Sequence, residues 1–141
     1  MESATSREIG LSDDHLVLDA SALVDLLLAE SLGAAVDRRI AGAVLHAPAH
    51  LDAEVLSGLG RLHRSGQLTT ADVTRQVEII ESAPIQRHAL AGLLQGAWKR
   101  RDRIRLADAL YVELATVLAL PLVTTDARLA RAVRNVEVIV P

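Results

Sequence analysis

Four acidic residues stand where apolar stretches of the sequence stop or turn. Asp19 closes the run His15-Leu16-Val17-Leu18, and Asp126 follows Pro121-Leu122-Val123-Thr124-Thr125. Glu54 and Asp108 fall early in two stretches with helical spacing. In an open parallel sheet, sites form beyond the carboxyl ends of the strands, near the point where strand order reverses. Acids placed this way can converge on one edge from four separate segments. Two carboxylates ~5 Å apart repel by roughly 3 kcal/mol at an effective dielectric near 20. Four together need protons or a hard divalent cation between them. Carboxylate and water ligands suit Mg²⁺ or Mn²⁺, and one or two such ions activate a water and hold a phosphodiester for in-line attack. Ser21, with Thr124 or Thr125, is placed to orient the acids or the water. Each acid alone also has a structural use: Asp126 as an N-cap, Asp108 at the positive end of a helix, Glu54 as a solvated helix residue. Asp19 has few such uses, and the joint pattern favours chemistry.

The elements that must hold these residues can be read from periodicity. His15 to Asp19 reads as a buried strand, and Ala22 to Leu28 as a helix capped by Ser21 and broken at Gly33. Residues 34–40 read as a second helix, and Val44 to Ala47 as a second strand closed by Pro48. Leu51, Val55, Leu59 and Leu62 mark a helix ended by Ser65-Gly66-Gln67; Val73, Val77 and Ile80 mark another, capped by Thr70. Leu90 to Arg101 reads as a helix, and Leu106, Leu110, Leu114 and Val117 mark the next. Residues 121–125 form the third predicted strand, Asp126 opens a helix, and residues 136–140 alternate as the last strand. The alternation predicts an α/β three-layer sandwich, a mostly parallel sheet with helices on both faces. Residues 1–15 carry little apolar pattern and read as an extension to a single domain over residues 16–141.

The chain has 141 residues, half of them apolar and 23% charged, with no cysteine. That excludes a disulfide framework, a thiolate metal site and a cysteine nucleophile. Trp98 and Tyr111 are the whole aromatic content, which nearly excludes a base-stacking platform. The net charge of −3 speaks against a protein that coats nucleic acid. With the four acids assigned to one site, however, 14 of the 18 acids remain against 15 basic residues. The acidity then belongs to the site more than to the surface. No apolar run reaches the ~18 residues that span a bilayer, and the start of the chain lacks a signal-peptide pattern, so a soluble cytoplasmic protein without a membrane role is expected.

Four segments carry a family resemblance: V-L-D-A-S-A-L-V (17–24), A-E-V-L (53–56), A-D-A-L-Y-V-E-L-A (107–115) and P-L-V-T-T-D-A-R-L-A-R-A (121–132). In order and spacing the chain resembles the PIN-domain ribonucleases, specifically the VapC-type toxins of bacterial toxin–antitoxin pairs. The resemblance covers roughly residues 16–140. It implies a Mg²⁺-dependent RNA endonuclease, neutralised by a cognate antitoxin and usually homodimeric. It further implies Asp19, Glu54, Asp108 and Asp126 as the catalytic, metal-holding quartet, supported by Ser21 or Thr124. Two departures stand out: about fifteen extra residues precede the first strand, and Leu106-Ala107 stands where an aromatic is frequent before Asp108.

Lys99, Arg100, Arg101, Arg103 and Arg105 form a basic run that suits RNA phosphates, an acidic antitoxin tail or a solvated helix end. Arg128, Arg131 and Arg134 recur every third residue and read as one solvated helix side. The five histidines form no convincing metal set and read as solvated or locally bonded; Asp25 reads as an exposed helix acid, and Trp98 and Tyr111 as packing residues. Two other functions compete. A phosphoryl-transfer or signalling domain could use Asp13-Asp14, although Ser21 replaces the second acid that a haloacid-dehalogenase-like nucleophile needs, and the only lysine, Lys99, lies outside any predicted strand. A non-catalytic module that keeps the fold to bind a partner would not need the intact quartet.

Overall fold

The computed structural model describes residues 14–141. Apolar β1 (His15–Leu18) is followed by α1 (Ala20–Leu28), α2 (Ser31–Ile40), β2 (Val44–Pro48), α3 (Leu51–Arg64) and α4 (Thr70–Ser82). Then come β3 (Ile85–His88), a 3-10 turn (Ala91–Leu93), α5 (Leu94–Trp98), α6 (Leu106–Leu118), β4 (Leu122–Thr124), α7 (Ala127–Ala132) and β5 (Val136–Val138). The five strands form one all-parallel sheet in the order β3-β2-β1-β4-β5. Strand order runs outward from β1 in both directions, so right-handed crossovers must place α1–α4 on one face and α5–α7 on the other. The expected three-layer α/β sandwich is therefore observed, with the switch point between β1 and β4.

β1 sits at the centre because three apolar residues in a row suit a strand covered on both faces. Leu16, Val17 and Leu18 are all fully buried, in a core that is aliphatic apart from Tyr111. The expected extension over residues 1–15 lies outside the described residues except for its last two, and His15 already belongs to β1.

Several sequence expectations need correction. β3, of sequence Ile85-Gln86-Arg87-His88, was not anticipated because three of its four residues are polar. Arg87 makes it possible: its guanidinium donates to Asp52 at 2.8–3.1 Å and to the Ile80 carbonyl at 2.9 Å. The helix expected over 90–101 is only the 3-10 turn and the five-residue α5. Gly92 and Gly96 weaken helix propagation there, and a Cβ at Gly96 would meet the Glu113 carboxylate at 2.0–2.3 Å. Gly33 does not end a helix. It lies inside α2, where a Cβ would come within 2.3 Å of the Asp25 carbonyl oxygen, so glycine lets α2 close onto α1. The break falls instead at Ala29, whose φ of 56° is left-handed. Thr69, not Thr70, caps α4, in a reciprocal capping box with Asp72. In α6 the buried side is Ala109, Tyr111, Val112, Leu114 and Ala115, while Leu106 and Val117 face solvent. Trp98 is also exposed, with the Arg101 guanidinium over its ring.

Candidate active site

Asp19 leaves β1 at the carboxyl edge of the sheet and caps α1. Its Oδ1 accepts from the Ala22 amide at 3.0 Å and the Ser21 hydroxyl at 2.8 Å; its Oδ2 accepts from the Thr124 hydroxyl across the β1–β4 gap. Asp19, not Ser21, is therefore the cap. Asp19 is 5% exposed. Burial pushes its pKa up to about 6 despite these hydrogen bonds, with a small contribution from the charge of Asp108. Thr124 is fully buried and also accepts the Asp126 amide at 2.9 Å, so one hydroxyl links the ends of β1 and β4.

Glu54 projects from the first turn of α3 and accepts from the Tyr111 hydroxyl at 2.8 Å. Tyr111 is 1% exposed. Burial, and then the Glu54 charge, push its ionisation far above the ordinary range, so it stays a donor. His50 packs its ring against Tyr111 and donates from Nε2 to the Ala107 carbonyl at 2.9 Å. This bond ties the start of α3 to the start of α6.

Asp108 and Asp126 each face an arginine of their own segment. Arg105 reaches Asp108 at 3.2 Å, and Arg128 reaches Asp126 at 3.3 Å. Burial works against the charge of Asp126, but hydrogen bonds from the Arg128 side chain and amide hold its carboxyl below the usual range. Asp126 also caps α7 by accepting that amide at 2.9 Å.

All four acids, with Ser21, line one cleft of about 790 Å³, whose rim carries Arg61, Arg103, Arg105 and Arg128. The cleft lies over the β1–β4 switch point, where this topology places a site. Among the described residues, no three of the acidic or histidine side chains yet converge as a ready ligand set. Asp108 and Asp126 are turned to their arginines and Glu54 to Tyr111. The donor chemistry nonetheless fits a hard divalent ion: four carboxylates and adjacent hydroxyls, all oxygen. Asp19, Glu54, Asp108 and Asp126 are the residues that would hold such an ion.

Residues 16–135 match the family model described as PIN domain. The chain is 56% identical over 120 residues to Ribonuclease VapC3 of Mycobacterium tuberculosis, covering 84% of this chain and 88% of that protein. The chain belongs to the VapC-type PIN-domain ribonucleases. Ribonuclease VapC12 of the same organism is 39% identical over 117 residues, 83% of this chain and 91% of that protein. In fold, the PIN domain is similar to VapC20 of M. tuberculosis, described as a toxin that cleaves the sarcin–ricin loop: TM-score 0.67 at 18% identity, covering 89% of this chain and 99% of that one. A toxin–antitoxin complex from Klebsiella pneumoniae contains a chain with the same fold, TM-score 0.60 at 15% identity, covering 86% of this chain and 94% of that one. VapC ribonucleases of the PIN family generally depend on a divalent metal. No helix among the described residues is long and apolar enough to cross a membrane.

The structure brings Asp19, Ser21, Glu54, Asp108 and Asp126 of this PIN domain into one cleft, with Thr124 beneath Asp19. Two further residues belong to the arrangement. Asp25 is not a solvated helix acid: it lines the cleft and accepts the Thr125 hydroxyl at 2.7 Å. Its four-residue spacing from Ser21 on α1 was the available signal. Tyr111 packs in the core but also fixes Glu54, and its three-residue spacing from Asp108 places both on one side of α6. The basic run begins at Lys99, the C-cap of α5, and continues as a series of turns, with Arg103 and Arg105 at the cleft and Arg100 held by Glu113. Arg128, Arg131 and Arg134 do not share one helix side, because α7 ends at Ala132. Asp14, the described half of the acidic pair considered for phosphoryl transfer, precedes β1 and pairs with Arg39 at 3.3 Å, away from the cleft.

Proposed function

We propose that this chain is a metal-dependent endoribonuclease, the toxin of a toxin–antitoxin pair, and that Asp19, Glu54, Asp108 and Asp126 form its active centre. The observation that carries the reading is the convergence of four carboxylates, from four distant segments, on one cleft at the strand-order switch. The ribonuclease names of the VapC relatives and the fold of the Klebsiella complex support RNA as substrate and an antitoxin as partner.

Asp19 is the fixed anchor, held by three hydrogen bonds and unable to turn away. Ser21 and Thr124 hold its two oxygens. Glu54 is oriented by Tyr111. Asp108 and Asp126 are the adjustable pair, each with an arginine that becomes free to meet a phosphate when its acid turns inward. A Mg²⁺ or Mn²⁺ ion held by these carboxylates supplies Lewis-acid polarisation and a water of lowered pKa. Arg103, Arg105 and Arg128 place positive charge where the phosphodiester enters.

Purified full chain should cut RNA in the presence of Mg²⁺ or Mn²⁺ and stop when EDTA is added. Asp108→Asn should abolish cleavage. Inducible expression in bacteria, with mapping of the new RNA ends, reads toxicity and target together. An Asp108→Asn protein as toxic and as active as the wild type would overturn the assignment.

A further inference from the structure

A second groove, of about 1170 Å³, runs between α6 and α7 along the β4–β5 side of the sheet. Its walls carry Arg100, Arg103, Arg131 and Arg134. Among the described residues the only lining carboxylate is Glu137, which is already engaged by Arg39 at 2.6 Å. Arg100 is held in place by Glu113 and by the Gly96 carbonyl at 2.9 Å. Arg103, Arg131 and Arg134 are exposed, and among the described residues no carboxylate lies within ion-pair distance of them. This groove is not isolated from the cleft of the acids. Arg103, Ile104 and Ala132 line both, so the two adjoin.

We propose that this groove is a track for the single-stranded RNA flanking the scissile bond, gripped through its phosphates. The inference rests on the ribonuclease reading and extends it to a subsite. The lining favours the backbone over the bases: it contains no aromatic side chain, so stacking has no platform, while three guanidiniums without a carboxylate partner among the described residues offer forked donors to phosphate oxygens. A sequence-independent grip beside a cutting centre leaves target choice to the cleft itself and gives affinity through counterion release.

Each phosphate contact to single-stranded nucleic acid changes the slope of log K against log salt by about 0.7. Losing Arg131 and Arg134 therefore removes about 1.4 from the slope, equivalent to roughly 25-fold in affinity at 0.1 M salt relative to 1 M. The test is Arg131→Gln/Arg134→Gln in the full chain, measured by fluorescence anisotropy with a labelled single-stranded RNA of about twenty nucleotides, in EDTA and across a salt series. The expected result is about 25-fold weaker binding at 0.1 M salt, a shallower slope, and unchanged cleavage of an RNA only long enough to cross the cleft. Unchanged affinity and slope would overturn the proposal. So would a variant that binds RNA normally but no longer binds a polyglutamate peptide, which would assign the groove to an acidic protein segment. Binding is read without metal, so a chain that cuts no RNA would defeat the ribonuclease reading and still leave the groove measured.

Discussion

Asp19→Asn is expected to separate activity from stability in opposite directions. The Asp19 carboxyl ionises near 3.8 in an unfolded chain and at about 6 in the fold, because burial disfavours its charge. Between these values the folded state binds more protons than the unfolded state, so stability falls as pH rises from about 4 to about 6. Above that window the charged form costs about 3 kcal/mol, from roughly two pKa units at 1.36 kcal/mol each. Asparagine removes the charge and keeps the shape. Its amide can donate to Thr124 while its carbonyl still accepts from Ala22 and Ser21. Allowing about 1 kcal/mol for weaker hydrogen bonds, the variant should gain about 2 kcal/mol at pH 7.5 in EDTA. For a chain of this size that raises Tm by roughly 4–10 °C. Urea or thermal unfolding at pH 7.5 and pH 4 reads the effect directly, and the gain should vanish at the lower pH. The same variant should cut no RNA and lose the stabilisation that Mg²⁺ gives the wild type, about 2.7 kcal/mol at a hundredfold excess over Kd. A variant less stable than the wild type at pH 7.5, or a gain that does not depend on pH, would refute the reasoning.

Tyr111→Phe removes the hydroxyl that orients Glu54 and should lower metal affinity or kcat about 10–100-fold while the fold survives; metal titration by calorimetry checks it. Burial, then His88 and His15, hold the His46 pKa below 6.5. The folded state therefore takes up its proton later than the unfolded state, and stability present above pH 6.5 should be lost as pH falls below it. Urea unfolding from pH 7.5 to 5, in the Asp19→Asn background to remove the opposing trend, should show the loss, and His46→Leu should flatten it. Gly33→Ala should destabilise by about 1–3 kcal/mol or more, since a backbone carbonyl cannot give way to the new methyl; chemical denaturation measures it.

Much of the architecture is legible because β1, β2 and β4 are apolar runs that only a doubly covered sheet can bury. β3 is not legible, since Arg87 solves its burial through Asp52, thirty-five residues away. The four acids can be read from their places at strand ends and helix starts. Their immediate partners cannot: whether Asp108 faces Arg105 or the cleft depends on rotamers rather than spacing. Nor does the sequence display the link between His15, His46 and His88. It needs the register that pairs Val17 with His46 and Pro48 with His88.

That link has a consequence that follows from counting protons. His15 Nδ1 lies 2.9 Å from His46 Nε2, and His46 Nδ1 lies 2.9 Å from His88 Nε2, a row of three imidazoles across β1, β2 and β3. Three neutral rings bring three protons: one in each link, and the third at one end or the other, giving two arrangements of opposite polarity. A fourth proton fits on any ring with both links intact. A fifth leaves a single lone pair to serve two links, and one link must open. The row can thus carry one positive charge with both links made; with two charges only one link remains beside the backbone pairing of β1, β2 and β3.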